Sequence, residues 1–388
     1  MDILFVSNLF PDEDEPWRGL DNATLLLGLR DLDASLRIRV LAFRPSIKHF
    51  GHAPKRPRSQ DACFHPNYFW TPYIPKMGGW NHKWFAHAFS RAYQTLPKGF
   101  EPQAILSAWL FPDACGVSMV ASKAQVPVVA IAQGSDAHHY LEMPMRRRAI
   151  IAMTKRVRAV VTRSRDLAER LNRNGADSGV AQTIYNGVDV RTFLPKNRSE
   201  ACAALGLKSD EQWLLFVGNF LLVKDVPLLL TAFARVVAKS ANVVKLALIG
   251  GGPLESTIRG LVEQLQIDHR VVFLGRQSAP EVACWMQASH AVCLTSRNEG
   301  VPNVVLEAMS CGRVPVCIDV GGIAEVVEPV LGNHFLVQSR DPEAYASALM
   351  DILSGAPDSD ELHRSMKSYS WENCARKYLE LLRGHDRC

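Results

Sequence analysis

Short apolar runs rich in β-branched residues alternate with longer amphipathic stretches along most of this chain. This alternation is typical of βαβ units, in which parallel strands form a sheet that helices cover. Five runs in each half of the chain are predicted to be strands. They are 3–7, 38–43, 104–107, 128–132 and 159–162, followed by 214–218, 246–250, 271–274, 291–294 and 314–318.

Each set of strands, with its helices, predicts one doubly wound, Rossmann-like α/β domain. Asn186-Gly187 supplies a turn and 195–199 is polar, which places the junction there. We predict one domain over 1–186, completed by a C-terminal helix at about 370–388, and another over 187–369. Since open α/β sheets bind ligands at the carboxyl ends of their strands, the two domains are expected to face an inter-domain cleft.

Composition limits the class of protein. Hydrophobic residues make up 47% and charged residues 21%, as in an ordinary globular protein. No window approaches the roughly 20 uninterrupted apolar residues of a membrane span, and Asp2 in the first apolar run argues against a signal peptide. Nine scattered cysteines form no C-x-x-C pair, which fits a reducing compartment without structural zinc. We therefore expect a cytoplasmic protein.

Basic residues are concentrated in the N-terminal half. Residues 1–188 carry 24 Lys and Arg against 16 Asp and Glu, whereas residues 189–388 carry 20 against 23. Such asymmetry can attract an anionic lipid surface, a phosphorylated acceptor or a nucleic acid, and it can equally reflect scattered solvated charge. No accompanying motif indicates nucleic-acid binding, so we expect none.

Two acids, Glu299 and Glu307, flank a predicted helix start. Pro302 fits the first helical turn, where no backbone donor is missed. Glu299 would then lie in the loop before the helix and Glu307 more than one turn inside it. The first amides of that helix, from Asn303 and Val304, would suit a phosphate. The spacing alone is weak evidence, because a helix-start acid and a surface acid give the same pattern.

Two glycine turns accompany these acids. Gly218-Asn219 ends a predicted strand, and Lys224 lies just before a helical stretch, as a diphosphate site requires. Gly250-Gly251-Gly252 forms a second strand-to-helix turn, where backbone can approach a ligand. Each turn on its own could be ordinary loop chemistry.

In this order and spacing, the segments resemble the retaining GT-B-type glycosyltransferases with an E-x7-E motif, the glycosyl transferases group 1. The resemblance is strong over about 160–327 and looser before it, where 109–113 and 133–136 resemble acceptor-side loops. It implies a GT-B architecture of two Rossmann-like domains. The N-terminal domain would take the acceptor and the C-terminal domain the nucleotide-sugar donor.

The resemblance also implies residue roles. Glu307 would accept hydrogen bonds from the donor ribose and Glu299 from the transferred sugar, while Lys224 would neutralise the departing diphosphate. Gly19, in the loop after the first strand, would let backbone close near the phosphates, or it is simply a helix-start glycine. The implied donor-binding residues besides Glu307 are Asn219, Gly251, Asn303, Val304 and Gly19.

Two positions depart from the family pattern. Asn219 stands where arginine is common, with Arg276 and Arg297 as candidate substitutes for the lost charge. Gln133 stands where histidine is common, and its amide can donate a hydrogen bond near the reacting carbon but cannot titrate. Glu299, Lys224 and Gln133 are the predicted catalytic residues. The predicted acceptor-side residues are Trp109, Asp113 and Asp136.

The implied reaction transfers a sugar from a nucleotide-diphosphate sugar to an acceptor hydroxyl with retained anomeric configuration. No cofactor or metal is expected, because a lysine can replace the charge of a metal ion. The acceptor would be a sugar or a lipid-linked molecule in polysaccharide or glycolipid assembly. A catalytically disabled nucleotide-sugar-binding partner protein is the alternative, which Asn219 and Gln133 favour.

Aromatic residues cluster at 70–73 and 80–93. If 81–95 is a helix, one apolar side collects several of them. That side could rest on a membrane surface as a peripheral contact, or it could belong to the core. Its members are Trp84, Phe85, Ala88, Phe89 and Ala92.

Overall fold

The computed structural model describes residues 1–73, 77–355 and 359–384. The chain divides into two compact units. Unit 1 comprises Met1–Asn186 and the chain from Trp371 onward, and unit 2 comprises Gly187–Ser370. Residues 385–388 of the predicted C-terminal helix lie outside the described part.

Unit 1 contains an eight-stranded sheet of order β3-β4-β2-β1-β5-β6-β7-β8, parallel except for the β3–β4 pair. Its strands are β1 Asp2–Ser7, β2 Arg37–Ser46, β3 Gly51–His52, β4 Asn67–Pro72, β5 Ala104–Ala108, β6 Val128–Ala132, β7 Ala159–Thr162 and β8 Ala181–Thr183. Its first helices are α1 Leu20–Leu32, α2 Asn81–Tyr93, α3 Cys115–Ala121, α4 Ser135–His138, α5 Pro144–Thr154 and α6 Arg165–Arg173.

Unit 2 contains a six-stranded parallel sheet of order β11-β10-β9-β12-β13-β14. Its strands are β9 Gln212–Val217, β10 Val244–Ile249, β11 Val271–Gly275, β12 Ala291–Leu294, β13 Val314–Ile318 and β14 Leu336–Val337. Its helices are α7 Arg198–Ala204, α8 Val226–Lys239, α9 Glu255–Gln264, α10 Ala279–Ala288, α11 Asn303–Ser310, α12 Ala324–Leu331, α13 Pro342–Ser354 and α14 Ser359–Ser365.

Two Rossmann-like α/β units confirm the predicted fold class, and all ten predicted strands are present to within two or three residues. The sequence analysis missed β3, β4, β8 and β14. Three of these strands have only two or three residues, and β4 ends in Thr71-Pro72 after three aromatic residues. Such segments are too short or too irregular for an alternating pattern to stand out.

Apolar side chains of β1 point alternately to the two faces of the unit 1 sheet. Ile3 and Phe5 belong to one buried cluster and Leu4 and Val6 to another, because successive side chains point to opposite faces of a strand. All four side chains are fully buried. A sheet apolar on both faces must be covered by helices on both sides, as the doubly wound fold requires.

Helix α2 divides the aromatic residues that were grouped together on sequence grounds. Phe85, Phe89 and Ala92 are buried and pack against the sheet, so for them the core interpretation is correct. Trp84, one position away on the helix, is 41% exposed. The predicted single apolar side is therefore wrong, since Trp84 faces away from the core.

The last helix, α15 Trp371–Arg383, returns to unit 1. Tyr378, Leu379 and Leu382 join the same buried cluster as Ile3 and Leu26. Gly28 of α1 lets the two helices approach, because a Cβ there would already lie 3.2 Å from the Ala375 Cβ. The segment after unit 2 is thus part of the core of unit 1. Within the described residues, no helix is both long and apolar enough to cross a membrane.

Removal of the Tyr378 side chain should test the attachment of α15. Tyr378→Ala leaves a cavity in a packed core, which for large aromatic side chains costs about 3–5 kcal/mol of unfolding free energy. Calorimetry should show a lower melting transition for unit 1 and an unchanged one for unit 2. Lys377→Ala, at an exposed neighbouring position, is the matched control. Equal melting curves for Tyr378→Ala and the control would contradict this account of α15.

Candidate active site

Lys224 and Glu299 meet at the carboxyl ends of two neighbouring strands of unit 2. Lys224 follows β9, Glu299 follows β12, and these strands pair directly in the sheet. The Lys224 Nζ lies 2.5 Å from the Glu299 Oε1. Both side chains are mostly shielded from solvent, at 22% and 13% exposure. The two predicted catalytic residues of this unit therefore form one ion pair.

Hydrogen bonds join the two loops behind that ion pair. The Thr295 Oγ1 donates to the carbonyl oxygens of Lys224 at 3.1 Å or Asp225 at 3.0 Å. The Arg297 amide donates to the Val223 carbonyl at 2.7 Å. Thr295 is fully buried, so its hydroxyl can satisfy its hydrogen bonding only within this contact. The positions of Lys224 and Glu299 are consequently coupled through backbone.

The carboxylate of Asp225 is buried where the Lys224 and Glu299 loops meet, a contact that we call the joint. This carboxylate pairs with the Arg340 guanidinium and lies 3.0 Å from the Arg297 Nη2. Arg340 also donates to the carbonyl oxygens of Thr295 and Ser296, each at 3.0 Å. One guanidinium thus holds three acceptors from both loops, a use for which its fork of donors is suited.

The sequence analysis did not identify Asp225 or Arg340 as site residues. Asp225 follows Lys224 directly, and its backbone is left-handed, with φ of 44°, at the start of α8. Arg340 comes from the loop between β14 and α13, and no motif marks it. Arg297, a candidate substitute for the charge missing at Asn219, is already paired with Asp225. Asn219 itself is exposed.

The two glycine turns interlock beside this joint. Gly250 has φ of 135°, and a Cβ there would lie 1.9 Å from the Gly218 carbonyl oxygen. The Phe220 amide donates to the Gly251 carbonyl at 3.0 Å. In contrast, a Cβ at Gly251 would meet only the Glu255 Oε2, at 3.7 Å. Gly250 is therefore required for packing, while Gly251 faces open space where a ligand can approach.

A second glycine pair supports the backbone of Glu299. Gly321 has φ of 60°, and a Cβ there would lie 1.9 Å from the Glu299 carbonyl oxygen. The Gly322 amide donates to the Gly300 carbonyl at 3.0 Å. Only glycine permits so close an approach, which explains the residue type at 321.

Helix α11 begins at Asn303, and Pro302 is the residue before it, with φ of −72° and ψ of 136°. Pro302 thus caps the helix from outside, one position earlier than predicted. Asn303 and Val304 are the first two helical residues, at the end of the helix that carries partial positive charge. Glu307 lies one turn further and is half-buried. These positions suit an anionic ligand at the helix start.

Gly19 and Gln133 occupy defined places in unit 1. Gly19 precedes α1 with φ of 63°, and a Cβ there would lie 2.3 Å from the Leu9 carbonyl oxygen. The glycine therefore lets the loop after β1 pack closely on the start of α1. The Gln133 Nε2 donates to the Asn22 Oδ1 at 2.8 Å, which orients its amide by a residue of α1.

The acceptor-side loops are held together by buried carboxylates. Asp113 accepts hydrogen bonds from the Asn8 amide and its Nδ2, at 2.5 and 2.9 Å. Asp136 accepts from the amides of Leu110, Gln133 and Gly134 at 2.8 to 2.9 Å. Burial raises the pKa of Asp136 to about 6, although these amide hydrogen bonds oppose the rise.

Both side chains are 0% exposed, so Asp113 and Asp136 build the acceptor-side loops from within and offer no oxygen at their surface. Trp109 differs from them. It is half-buried, its ring lies 6.1 Å from that of Tyr140, and its φ is 76°. Of the three predicted acceptor-side residues, Trp109 alone retains side-chain surface.

The matches to known families fall largely on the two units of the chain. Residues 197–372 match the family model of glycosyl transferases group 1, and residues 32–192 match that of glycosyltransferase family 4. Each of the two units thus resembles a glycosyltransferase family. The part that matches group 1 contains every predicted donor-side residue except Gly19.

Curated relatives match this chain over parts of their length. N-acetyl-alpha-D-glucosaminyl L-malate synthase of Bacillus anthracis is 33% identical over 197 residues, 51% of this chain and 49% of the relative. D-inositol 3-phosphate glycosyltransferase of Rhodococcus erythropolis is 29% identical over 289 residues, 71% of this chain and 64% of the relative. The chain thus spans about half to just under two thirds of these relatives.

Solved structures share the GT-B fold with this chain over nearly its full length. Sucrose-phosphate synthase from Thermosynechococcus elongatus has a TM-score of 0.78 and 20% identity, covering 99% of this chain and 98% of its own. Anabaena HepE, solved with UDP-glucose, has a TM-score of 0.73 and 18% identity, covering 99% and 100%. At such identities the likeness establishes the fold.

Loss of the Arg340 guanidinium should loosen the joint between the Lys224 and Glu299 loops. Arg340→Met leaves two carbonyl oxygens and part of a buried carboxylate unsatisfied, which we expect to destabilise unit 2 by about 2 kcal/mol. Arg235→Met is the control, because Arg235 has similar exposure and its ion pairs within the described residues are with surface carboxylates of Asp341 and Glu343. That variant should lose less than about 1 kcal/mol in the same denaturant titration. Equal losses in both would refute a special role for Arg340.

Proposed function

We propose that this protein is a retaining glycosyltransferase that moves a sugar from a nucleotide-diphosphate sugar to an acceptor hydroxyl. The observation that carries the proposal is the Lys224–Glu299 pair at the carboxyl edge of the unit 2 sheet. Ligands of open α/β sheets bind at that edge. Both family matches and the fold support the same class of reaction.

The donor would be held by two kinds of group: cationic or N–H groups at its diphosphate, and carboxylates at its hydroxyl groups. Lys224 and the amides at the start of α11 would receive the diphosphate, since cations and helix N-termini both favour phosphate. Glu307 would accept hydrogen bonds from ribose hydroxyls, and Glu299 from hydroxyls of the transferred sugar. Gly251 would allow backbone to approach the ligand.

Because Lys224 and Glu299 pair with each other, donor binding would give each of them a new partner. In the structure, Lys224 forms an ion pair with Glu299. When a diphosphate takes over Lys224, the Glu299 carboxylate is released to accept hydrogen bonds from the sugar. Because Asp225 and Arg340 hold both loops, this exchange would need only side-chain movement.

In the proposed chemistry, the acceptor hydroxyl attacks the anomeric carbon on the face that the diphosphate leaves. The departing phosphate oxygen takes the hydroxyl proton, so no protein nucleophile is needed. Lys224 stabilises the negative charge that grows on the leaving group. The Gln133 amide would donate a hydrogen bond near the reacting carbon. We propose that the reaction requires no metal or other cofactor, with the lysine supplying the positive charge.

We place the acceptor in polysaccharide or glycolipid assembly, as a sugar or a lipid-linked molecule. Unit 1 would be the acceptor-side domain of a cytoplasmic enzyme with a peripheral membrane contact. Its excess of basic residues supports an anionic acceptor or an anionic surface. The nucleotide of the donor can be tested first with UDP, because HepE was solved with UDP-glucose.

A catalytically disabled nucleotide-sugar-binding partner protein is the second candidate. The pairing of Arg297 with Asp225 favours it, because Arg297 is then not a free replacement for the cation absent at Asn219. This protein would bind nucleotide and transfer nothing. Sugar transfer or slow donor hydrolysis by the purified protein would exclude it.

Thermal melting with UDP, GDP and ADP should identify the nucleotide. A ligand at 100 times its dissociation constant stabilises the folded state by about 2.7 kcal/mol, which a melting curve resolves. The shift should disappear in Glu307→Ala and persist in Glu263→Ala, an exposed acid of α9. No shift with any of the three nucleotides, from a protein that melts cooperatively, would count against the donor site.

Glu299→Gln and Lys224→Ala should separate binding from turnover. Glu299→Gln removes the charge that competes for Lys224, so affinity for the nucleoside diphosphate should hold or rise while sugar transfer falls. Lys224→Ala should lower kcat about 10²–10³-fold, as loss of one preorganised group in a transition state does. Lys208→Ala, exposed in the same unit, should leave both quantities unchanged. Wild-type turnover in either site variant would remove that residue from the mechanism.

A further inference from the structure

One segment of unit 1 is strongly basic. Residues 46–100 contain eight Lys and Arg and a single acid, Asp61. Asp61 is fully buried and accepts two hydrogen bonds from Arg58, so its charge is neutralised inside the unit. The outer surface of this segment is therefore positive, with Lys48, Lys83 and Arg91 exposed on it.

The same segment exposes large apolar side chains. Their exposed fractions range from 41% to 67%. Single exposed apolar residues are ordinary, but several on one stretch of structure mark an interaction surface. They are Ile47, Phe50, Tyr73, Met77, Trp80 and Trp84.

A groove of about 460 Å³ lies between β4 and α2 in the middle of this surface. Phe69 and Trp70 line it from the strand, and Trp84, His87 and Arg91 from the helix. These three helical residues follow at spacings of three and four, so they share one side of α2. Among the residues that the structure describes, no acidic side chain lines the groove. We refer to the groove, together with the exposed residues Ile47 and Trp80 near it in the sequence, as the β4–α2 face.

Packing of unit 1 does not account for this face. The core side of α2 is filled by Phe85 and Phe89, while Trp84 points away from it. The Lys83 Nζ lies 4.0 Å from the centre of the Trp80 ring, which keeps a cation next to an exposed aromatic surface. Apolar rings and cations side by side, without acids, complement a surface that is apolar within and anionic outside.

We propose that the β4–α2 face binds the surface of an anionic lipid bilayer. Phe50, Trp80 and Trp84 enter the boundary between headgroups and acyl chains, and the groove receives apolar parts of the lipid. Lys48, Lys83 and Arg91 contact lipid phosphates, because basic side chains are attracted to a negatively charged membrane surface. The biological role of this binding rests on the proposed lipid-linked acceptor. The binding surface is the β4–α2 face and not a single apolar side of α2.

Sedimentation with vesicles tests the proposal directly. The full-length protein should sediment with vesicles of phosphatidylcholine and phosphatidylglycerol, and far less with phosphatidylcholine alone. High salt should release part of it, because exposed charges are screened. Failure of the wild-type protein to sediment with the anionic vesicles, or equal binding to both vesicle types, would overturn the proposal.

Matched variants separate the two parts of the face. Trp84→Ala should weaken binding to anionic vesicles about tenfold, whereas Trp17→Ala, a similarly exposed tryptophan of unit 1 outside the face, should not. Arg91→Glu should weaken binding by at least about tenfold through its charge reversal, and Lys208→Glu, exposed in unit 2, should change it far less. Equal effects of face and control variants would show binding by overall charge alone and would refute the assignment.

Two further readouts keep this proposal apart from the proposed function. All four substituted positions are exposed, so unchanged melting temperatures should accompany the changed vesicle binding. The vesicle assay contains no nucleotide, and the nucleotide-induced shift in melting temperature should be the same in Trp84→Ala as in the wild type. A failed donor site would leave vesicle binding intact, and a failed lipid face would leave nucleotide binding intact.

Discussion

The buried carboxylate of Asp225 is the point on which the arrangement of the candidate active site depends. It lies in the loop that contributes Lys224, and Arg340 bridges it to the carbonyl oxygens of Thr295 and Ser296 in the loop that contributes Glu299. A buried charge without such partners would cost several kcal/mol. Its satisfied geometry ties the carboxyl ends of β9 and β12 into one rigid support. A catalytic pair placed on that support needs little reorganisation when charge develops in a reaction.

Glycine contributes to the same support by permitting contacts that side chains would block. Gly250 lies against the Gly218 carbonyl and Gly321 against the Glu299 carbonyl, each with no room for a Cβ. The glycine of greatest interest for ligand binding is instead Gly251, which faces open space. Adjacent glycines in one turn thus serve different purposes, one in packing and the other in leaving room for a ligand.

Unit 1 uses carboxylates differently. Asp113 and Asp136 are fully buried and accept hydrogen bonds from Asn8 and from backbone amides, so they hold loops in place. On the β4–α2 face, unit 1 presents aromatic and basic groups. Asp113 and Asp136 thus serve the packing of loops in unit 1, whereas Glu299 in unit 2 stays partly exposed beside Lys224.

The sequence by itself determined the two Rossmann-like units and ten of the fourteen strands in the described part of the chain. Strand alternation and helical periodicity are properties of a single segment, and the segment reveals them without its neighbours. The adjacency of Lys224 and Glu299 was only implied there, through motif order and resemblance. Their actual contact, at 2.5 Å, is a result of β9 and β12 lying side by side.

Only the tertiary structure decided which residues act on one another from a distance. Arg340 is 115 residues from Asp225, and nothing local to either predicts the pair. Trp84 and Phe85 are neighbours in α2, but only Phe85 is buried. Helical periodicity cannot decide which of the two faces the core until the position of the sheet is known. The buried state of Asp113 and Asp136 likewise depends on how separate loops close over them. The interaction partners and the burial of a side chain depend on the assembled core, whereas strands and helices are largely determined by the local sequence pattern.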